Sequence, residues 1–267
     1  MADAPPPASD PLRWPTMALA SLRRQFGREW RAGPIHRLTI AGPKPQGLAI
    51  RPRDHRPPDP SQGAQIEGGL FTYGGETLEA GPRGDPWRRP APSKRFAAYL
   101  HGFGWAPDLI ATGEDGAREA LRLWLEWRRV FGRYNAFAWS GEALERRVFN
   151  LACATPALIP LASEAEGAAL TDGLAREARH LLADDDDPGR AAERACVAAL
   201  AGAALAGPAG DRLLARGLAR LAKTVPEAVL RDGVHASRSP ERGLELLFDL
   251  LALDDALSQR GAPAPLD

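Results

Sequence analysis

Lysine is nearly absent: Lys44, Lys94 and Lys223 are the only ones in 267 residues, so almost all positive charge is carried by arginine. Genome base composition explains such a bias, and bidentate recognition of carboxylate or sulfate is a second use for it. Cysteine is as scarce. Cys153 and Cys196 lack the CxxC spacing of a zinc or redox site, and both stand in Ala/Leu-rich surroundings where a buried free thiol is expected. Neither sign of charge is in excess, with 34 basic and 34 acidic residues. That balance argues against a general nucleic-acid or membrane-surface binder but leaves room for a local basic cleft. No run approaches the roughly 18 apolar residues of a membrane span. The polar, Pro-rich start at Met1–Pro11 lacks a signal peptide's charged and apolar regions, which makes the cytoplasm the expected location and the periplasm or cell envelope the alternative. There is no phosphate loop and no dinucleotide fingerprint, and the histidines at 36, 55, 101, 180 and 235 show no HxH or HxxxH spacing. Neither cofactor nor metal is expected.

What is present is a core-forming composition, 44% hydrophobic, with helical periodicity over most of its length. Residues 1–32 read as a tail followed by a helix (Leu12–Phe26). Residues 33–92, rich in proline and glycine, read as an annex with short extended runs at Arg37–Ile40, Gly47–Ile50 and Leu70–Tyr73. From 93 to 260 the helical period dominates. Ala117, Ala120, Leu121, Trp124 and Phe131 share one face, as do Leu144, Val148, Leu151 and Ala152. A third helix is predicted over Ala157–Leu182 and a mostly buried one over 190–206. Leu214, Leu218 and Leu221 mark another, and Leu244, Leu247, Leu250 and Leu251 the last. Short Gly/Pro joints at Gly132, Pro188–Gly189, Gly207–Pro208 and Asp232–Gly233 imply antiparallel helical hairpins. With no common repeat among them, the predicted fold is mainly α: an incomplete α/α toroid of antiparallel helical hairpins with a small N-terminal annex of short strands. Residues 261–267 read as a linker.

Three motifs suggest chemistry and are weighed against plainer readings. His101-Gly-Phe-Gly104 resembles the oxyanion loop of an α/β-hydrolase, but no Gly-x-Ser-x-Gly elbow follows and residues 94–98 are helical in composition. Asp184–Asp187 falls short of the DDxxD magnesium motif because Pro188 replaces the third aspartate, which leaves a solvated loop between helices. In Asp232–Pro240, Ser239 and Pro240 suit a helix start, whereas His235 and Arg238 are not needed for capping. Most aromatics of the first half belong to a core, with Trp105 and Trp139, near loops, as candidate platforms for sugar rings.

These segments together resemble the bacterial heparinase II/III-like family, from about Gly33 to Pro263. The anchors are Gly33-Pro-Ile-His-Arg-Leu, Leu70-Phe-Thr-Tyr-Gly-Gly, Tyr99-Leu-His-Gly-Phe-Gly-Trp105, Ala138-Trp139 through Arg146-Arg147, and Asp232 to Glu241 followed by Leu244-Glu-Leu-Leu. The last resembles the family's DGGH-x-SR-x-P-E segment, with Val234 replacing the second glycine. The resemblance implies a helical toroid followed by a C-terminal β-sheet domain missing here, an acidic polysaccharide as partner, and β-elimination. Such a reaction needs a neutralised uronic carboxylate and a base at the adjacent carbon. It further implies His235 as acid/base, Arg238 as a carboxylate or sulfate partner, and His101, Arg146, Arg147 and Asn150 as cleft-lining groups. Where the family's lyases carry Asn or His, near Pro188-Gly-Arg-Ala-Ala, this chain has only Arg190 as a polar substitute, so the chain alone is expected to be inactive. A non-catalytic carbohydrate-binding module and a helical protein–protein scaffold are the alternatives.

Overall fold

The computed structural model describes residues 40–184 and 187–261. Expectations for residues 1–39, including the first helix and the Gly33–Leu38 block, and for Asp185, Asp186 and 262–267 lie outside the described residues. From Ile40 onward the chain forms one compact unit. Among the described residues it holds nine α-helices and one two-stranded sheet.

The sheet is a hairpin of β1 (Leu70–Tyr73) and β2 (Glu76–Glu79). Gly74 and Gly75, at φ 59° and 81°, supply the two positive-φ positions of its turn. Phe71 pairs with Leu78, and both side chains enter the same core as the helices. Helix α1 (Pro60–Glu67) precedes the hairpin, and α2 (Lys94–His101) follows it, capped by Ser93. Tyr99 and Leu100 are therefore helical, which removes the strand that a hydrolase oxyanion loop requires. Of the other extended runs, Gly47–Ile50 makes only an isolated bridge, Leu48 to Leu205.

Short α3 (Ala106–Ile110) leads into α4 (Glu114–Phe131), where Ala117, Ala120, Leu121 and Trp124 are buried as their spacing predicts. In α5 (Gly141–Leu158) the stripe Leu144, Val148, Leu151 and Ala152 is likewise buried. The third predicted helix starts later than Ala157, which lies in the last turn of α5 instead. Helix α6 (Glu164–Ala183) begins after a 3₁₀ turn at Ile159–Leu161, behind a capping box in which Ser163 and Glu166 satisfy each other's backbone N–H. The aspartate run after α6 is not wholly solvated, since Asp184 is 2% exposed; Asp187 caps the next turn through Gly189 N–H.

Helix α7 (Ala191–Ala204) is buried almost all round, as its Ala/Leu/Val composition implies. A three-residue joint turns it into α8 (Pro208–Ala228). The two helices approach closely because glycines stand at the crossing. A Cβ on Gly217 would lie 2.7 Å from Ala199 N, and one on Gly202 would lie 2.3 Å from Leu214 N. Arg260 then caps the C-terminus of α7, donating to Ala203 O (2.9 Å) and Gly202 O (3.3 Å) while pairing with Asp211 at 2.8 Å. The last helix, α9 (Pro240–Gln259), begins at Ser239 with Pro240 in its first position, as expected. Its orientation is not. Leu244, Leu247 and Leu251 face outward, at 54%, 51% and 44% exposure, while Leu246, Asp249, Leu253 and Leu257 face inward. The architecture is thus an incomplete α-helical toroid.

Gly217→Val is expected to lower the unfolding free energy by about 2–3 kcal/mol, because overpacking must separate α7 from α8. Ala219→Leu on the exposed face of α8 is expected to change it by less than about 0.5 kcal/mol in the same urea titration.

Candidate functional site

One broad cleft of about 1200 Å3 opens across the helices. Three successive turns of α5 put Glu142, Arg146 and Asn150 on its floor, and α9 contributes Glu241, Arg242 and Glu245. From α2 come Lys94, Arg95 and Tyr99, from the segment before α1 Asp54 and Arg56, and from the start of α7 Arg190. Basic and acidic side chains are balanced around it. Arg56, Lys94, Arg95, Arg146, Arg190 and Arg242 face Asp54, Asp108, Glu142, Asp187, Glu241 and Glu245.

The deepest cations are already spoken for. Arg146 pairs with the fully buried Asp249 (Nη1–Oδ1 3.1 Å) and with Glu145 at 3.3 Å. Arg56 reaches Asp249 at 2.7 Å and Asp54 at 3.0 Å. Arg190 makes a two-pronged contact with Glu145, at 2.6 and 3.0 Å, and lies 3.2 Å from Glu245. Burial opposes the charge on Arg146, but Asp249, Glu145 and Glu245 outweigh it and hold its pKa well above the ordinary value. Three guanidiniums thus meet four carboxylates, a closed network with no spare positive charge for a polyanion. Uncommitted cations remain only nearer the rim. Lys94 and Arg95 are exposed and Arg242 is half-buried, with Arg95 over the Tyr73 ring at 5.3 Å. Tyr73 and Tyr99 stack at 4.3 Å. Burial and then Asp108 raise the Tyr99 pKa well above its ordinary value, and its hydroxyl accepts from Gln62 Nε2 at 3.1 Å, so it stays a neutral phenol at physiological pH.

Of the eight residues singled out from sequence, Arg146 and Asn150 line this cleft. Asn150 donates to Gly102 O at 2.8 Å. His235 does not reach the cleft. It is 4% exposed, bridged to Val229, and sits beneath the 229–239 loop. Ser237 N–H donates to its Nδ1 (3.1 Å), which puts the ring proton on Nε2, 3.4 Å from the buried Glu193. Burial raises the Glu193 pKa. Arg238, at φ 57°, points to solvent and pairs with exposed Asp232 at 2.7 Å.

Of the other four, three are core and His101 is half-buried against them. Trp105 and Trp139, each 1% exposed, donate their indole N–H to Leu100 O (3.0 Å) and Phe131 O (2.7 Å), so neither offers a platform. Arg147 is fully buried, paired with Glu177 at 2.7 Å and stacked 4.3 Å above Trp127. Its guanidinium also donates to His101 O and Ala138 O, at 3.0 and 2.6 Å. His101 Nδ1 accepts from Trp127 Nε1 at 3.0 Å with Phe131 edge-on. The residues that sequence reasoning passed over are Arg56, Glu145, Glu245 and Asp249. Asp249 carried a readable signal, a lone acid inside the apolar run of the last helix.

No protein-family model matches the chain. The fold class is shared with a solved heparinase III, at a TM-score of 0.56 and 14% identity, over 76% of this chain and 36% of that one. At that identity the likeness shows the fold alone. In sequence the chain is similar to FtsZ-localized protein C of Caulobacter vibrioides (strain NA1000 / CB15N), 54% identical over 238 residues. The match covers 89% of this chain and 41% of the relative, so the chain spans well under half of the relative's length.

Burial first, and Arg147 second, lower the His101 pKa from 6.5 to about 4. The unfolded chain therefore binds this proton more readily, and the histidine's contribution to stability is complete above about pH 6.5 and is lost as pH falls toward 4, roughly 3 kcal/mol in all. His101→Gln, which keeps an acceptor for Trp127, is expected to flatten that part of the stability–pH curve measured by urea unfolding. Asp249→Ala leaves Arg146 and Arg56 short of counter-charge and is expected to cost about 3–5 kcal/mol. Double-mutant cycles with Arg146→Ala are expected to show a loss well short of additive.

Proposed function

We propose that this chain is a non-catalytic binding domain: a heparinase-type helical toroid that serves as a scaffold in a protein of the FtsZ-based division assembly. The carrying observation is the closed arginine–carboxylate network on the cleft floor. β-Elimination on a uronate polymer needs free positive charge for the carboxylate and an accessible base. Here the deep arginines are neutralised from within, Tyr99 is held as a phenol, and His235 is buried against Glu193. The similarity to FtsZ-localized protein C supports the division setting. A charge-balanced cleft with the half-buried Tyr73–Tyr99 pair at its side suits a neutral or zwitterionic glycan or peptide better than a polyanion.

The second reading, an acidic-polysaccharide lyase with His235 as acid/base and Arg238, Arg146 and Asn150 binding substrate, is favoured by the fold likeness to heparinase III. Two assays on the purified chain separate them. Co-sedimentation with FtsZ polymers, together with no ultraviolet-absorbing unsaturated product from a panel of uronate polymers, is the expected result. Product formation that disappears in His235→Ala would establish the lyase instead. Failure to co-sediment, with no product, would remove the division scaffold as well.

A further inference from the structure

The outer face of α8 carries a stripe that neither the core nor the cleft uses. Arg212, Arg216 and Lys223 are exposed, and none is engaged in an ion pair among the described residues. With Arg220, which is half-buried and has a partner of its own, they fall within about 80° of the helix circumference and span about 16 Å of its length. Beside them runs a rib of exposed alanines, Ala215, Ala219 and Ala222, which lets another backbone approach. Asp211, at the head of the helix, is turned away into its pair with Arg260, and exposed Glu227 closes the stripe at the far end. The positive field extends to α6. There Arg179 has its pKa lowered by burial and by Arg212 and Arg216, with Asp172 the opposing acid. The helix itself is rigidly seated, since Gly217 and Gly202 lock it to α7.

We propose that this face of α8 docks an acidic protein segment, one presenting carboxylates along a helix or an extended strand. Charge complementarity and the narrow track fit a single chain. No exposed aromatic or leucine lies among the cations to enter a bilayer or stack on bases. The chain as a whole carries a formal net charge of zero, so the cations on this face are not part of a general basic excess. The proposal is independent of the cleft.

The test is fluorescence anisotropy of a short labelled oligoglutamate peptide with the full chain, alongside flotation with phosphatidylglycerol vesicles. Binding that weakens with salt is expected. Reversal in R212E/R216E/K223E should weaken it by about tenfold or more, as three modest exposed ion pairs turn repulsive, with the R212Q/R216Q/K223Q variant intermediate. These side chains are exposed, so circular dichroism should be unchanged. No binding by the parent chain, or equal binding by the reversed variant, overturns the proposal. So does loss on Arg242→Glu alone, which would place the peptide in the cleft. Vesicle binding without peptide binding overturns it in favour of an anionic lipid surface.

Discussion

Asp249 sits inside an apolar run of α9, Leu246–Leu253, fully buried, and draws the guanidiniums of Arg146 and Arg56 onto itself. An unpaired carboxylate at such a depth would cost several kcal/mol, so the elements carrying its partners have little freedom to move apart. Through Asp249, Glu145 and Glu245 the network joins α5, α9, the start of α7 and the segment before α1. It also decides which face of α9 turns inward. Asp249 must reach the arginines, and Leu244, Leu247 and Leu251 are left on the outside as a consequence.

The same network shapes the cleft chemically. An enzyme acting on a polyanion keeps its cations available and its base accessible. Here the charges that line the cavity floor cancel one another before any ligand arrives, and burial moves His101 and Tyr99 toward their neutral forms. The resemblance to heparinase III is one of backbone path, and a shared path does not carry a shared site.

Much of the fold was legible in the sequence. The stripes on α4 and α5, the mostly apolar α7 and the Ser239-Pro240 start all follow from local periodicity and backbone preference. The candidate site was far less so. Arg146 and Asn150 were named through the family resemblance and do line the cleft, but Trp105, Trp139 and Arg147, expected in the cleft, are buried in the core, and His101 is half-buried against it. A buried arginine looks like an exposed one until its partner is known, and Glu177, which holds Arg147, stands on another helix.

The sequence by itself therefore determined the helical class, most element positions and the hairpin joints, because these rest on interactions between residues a few positions apart. Only the tertiary structure decided which polar side chains are buried, that His235 faces Glu193 instead of the cleft, and which side of α9 is wet. Those outcomes depend on the desolvation of charges brought together from distant segments, a quantity that no local pattern encodes.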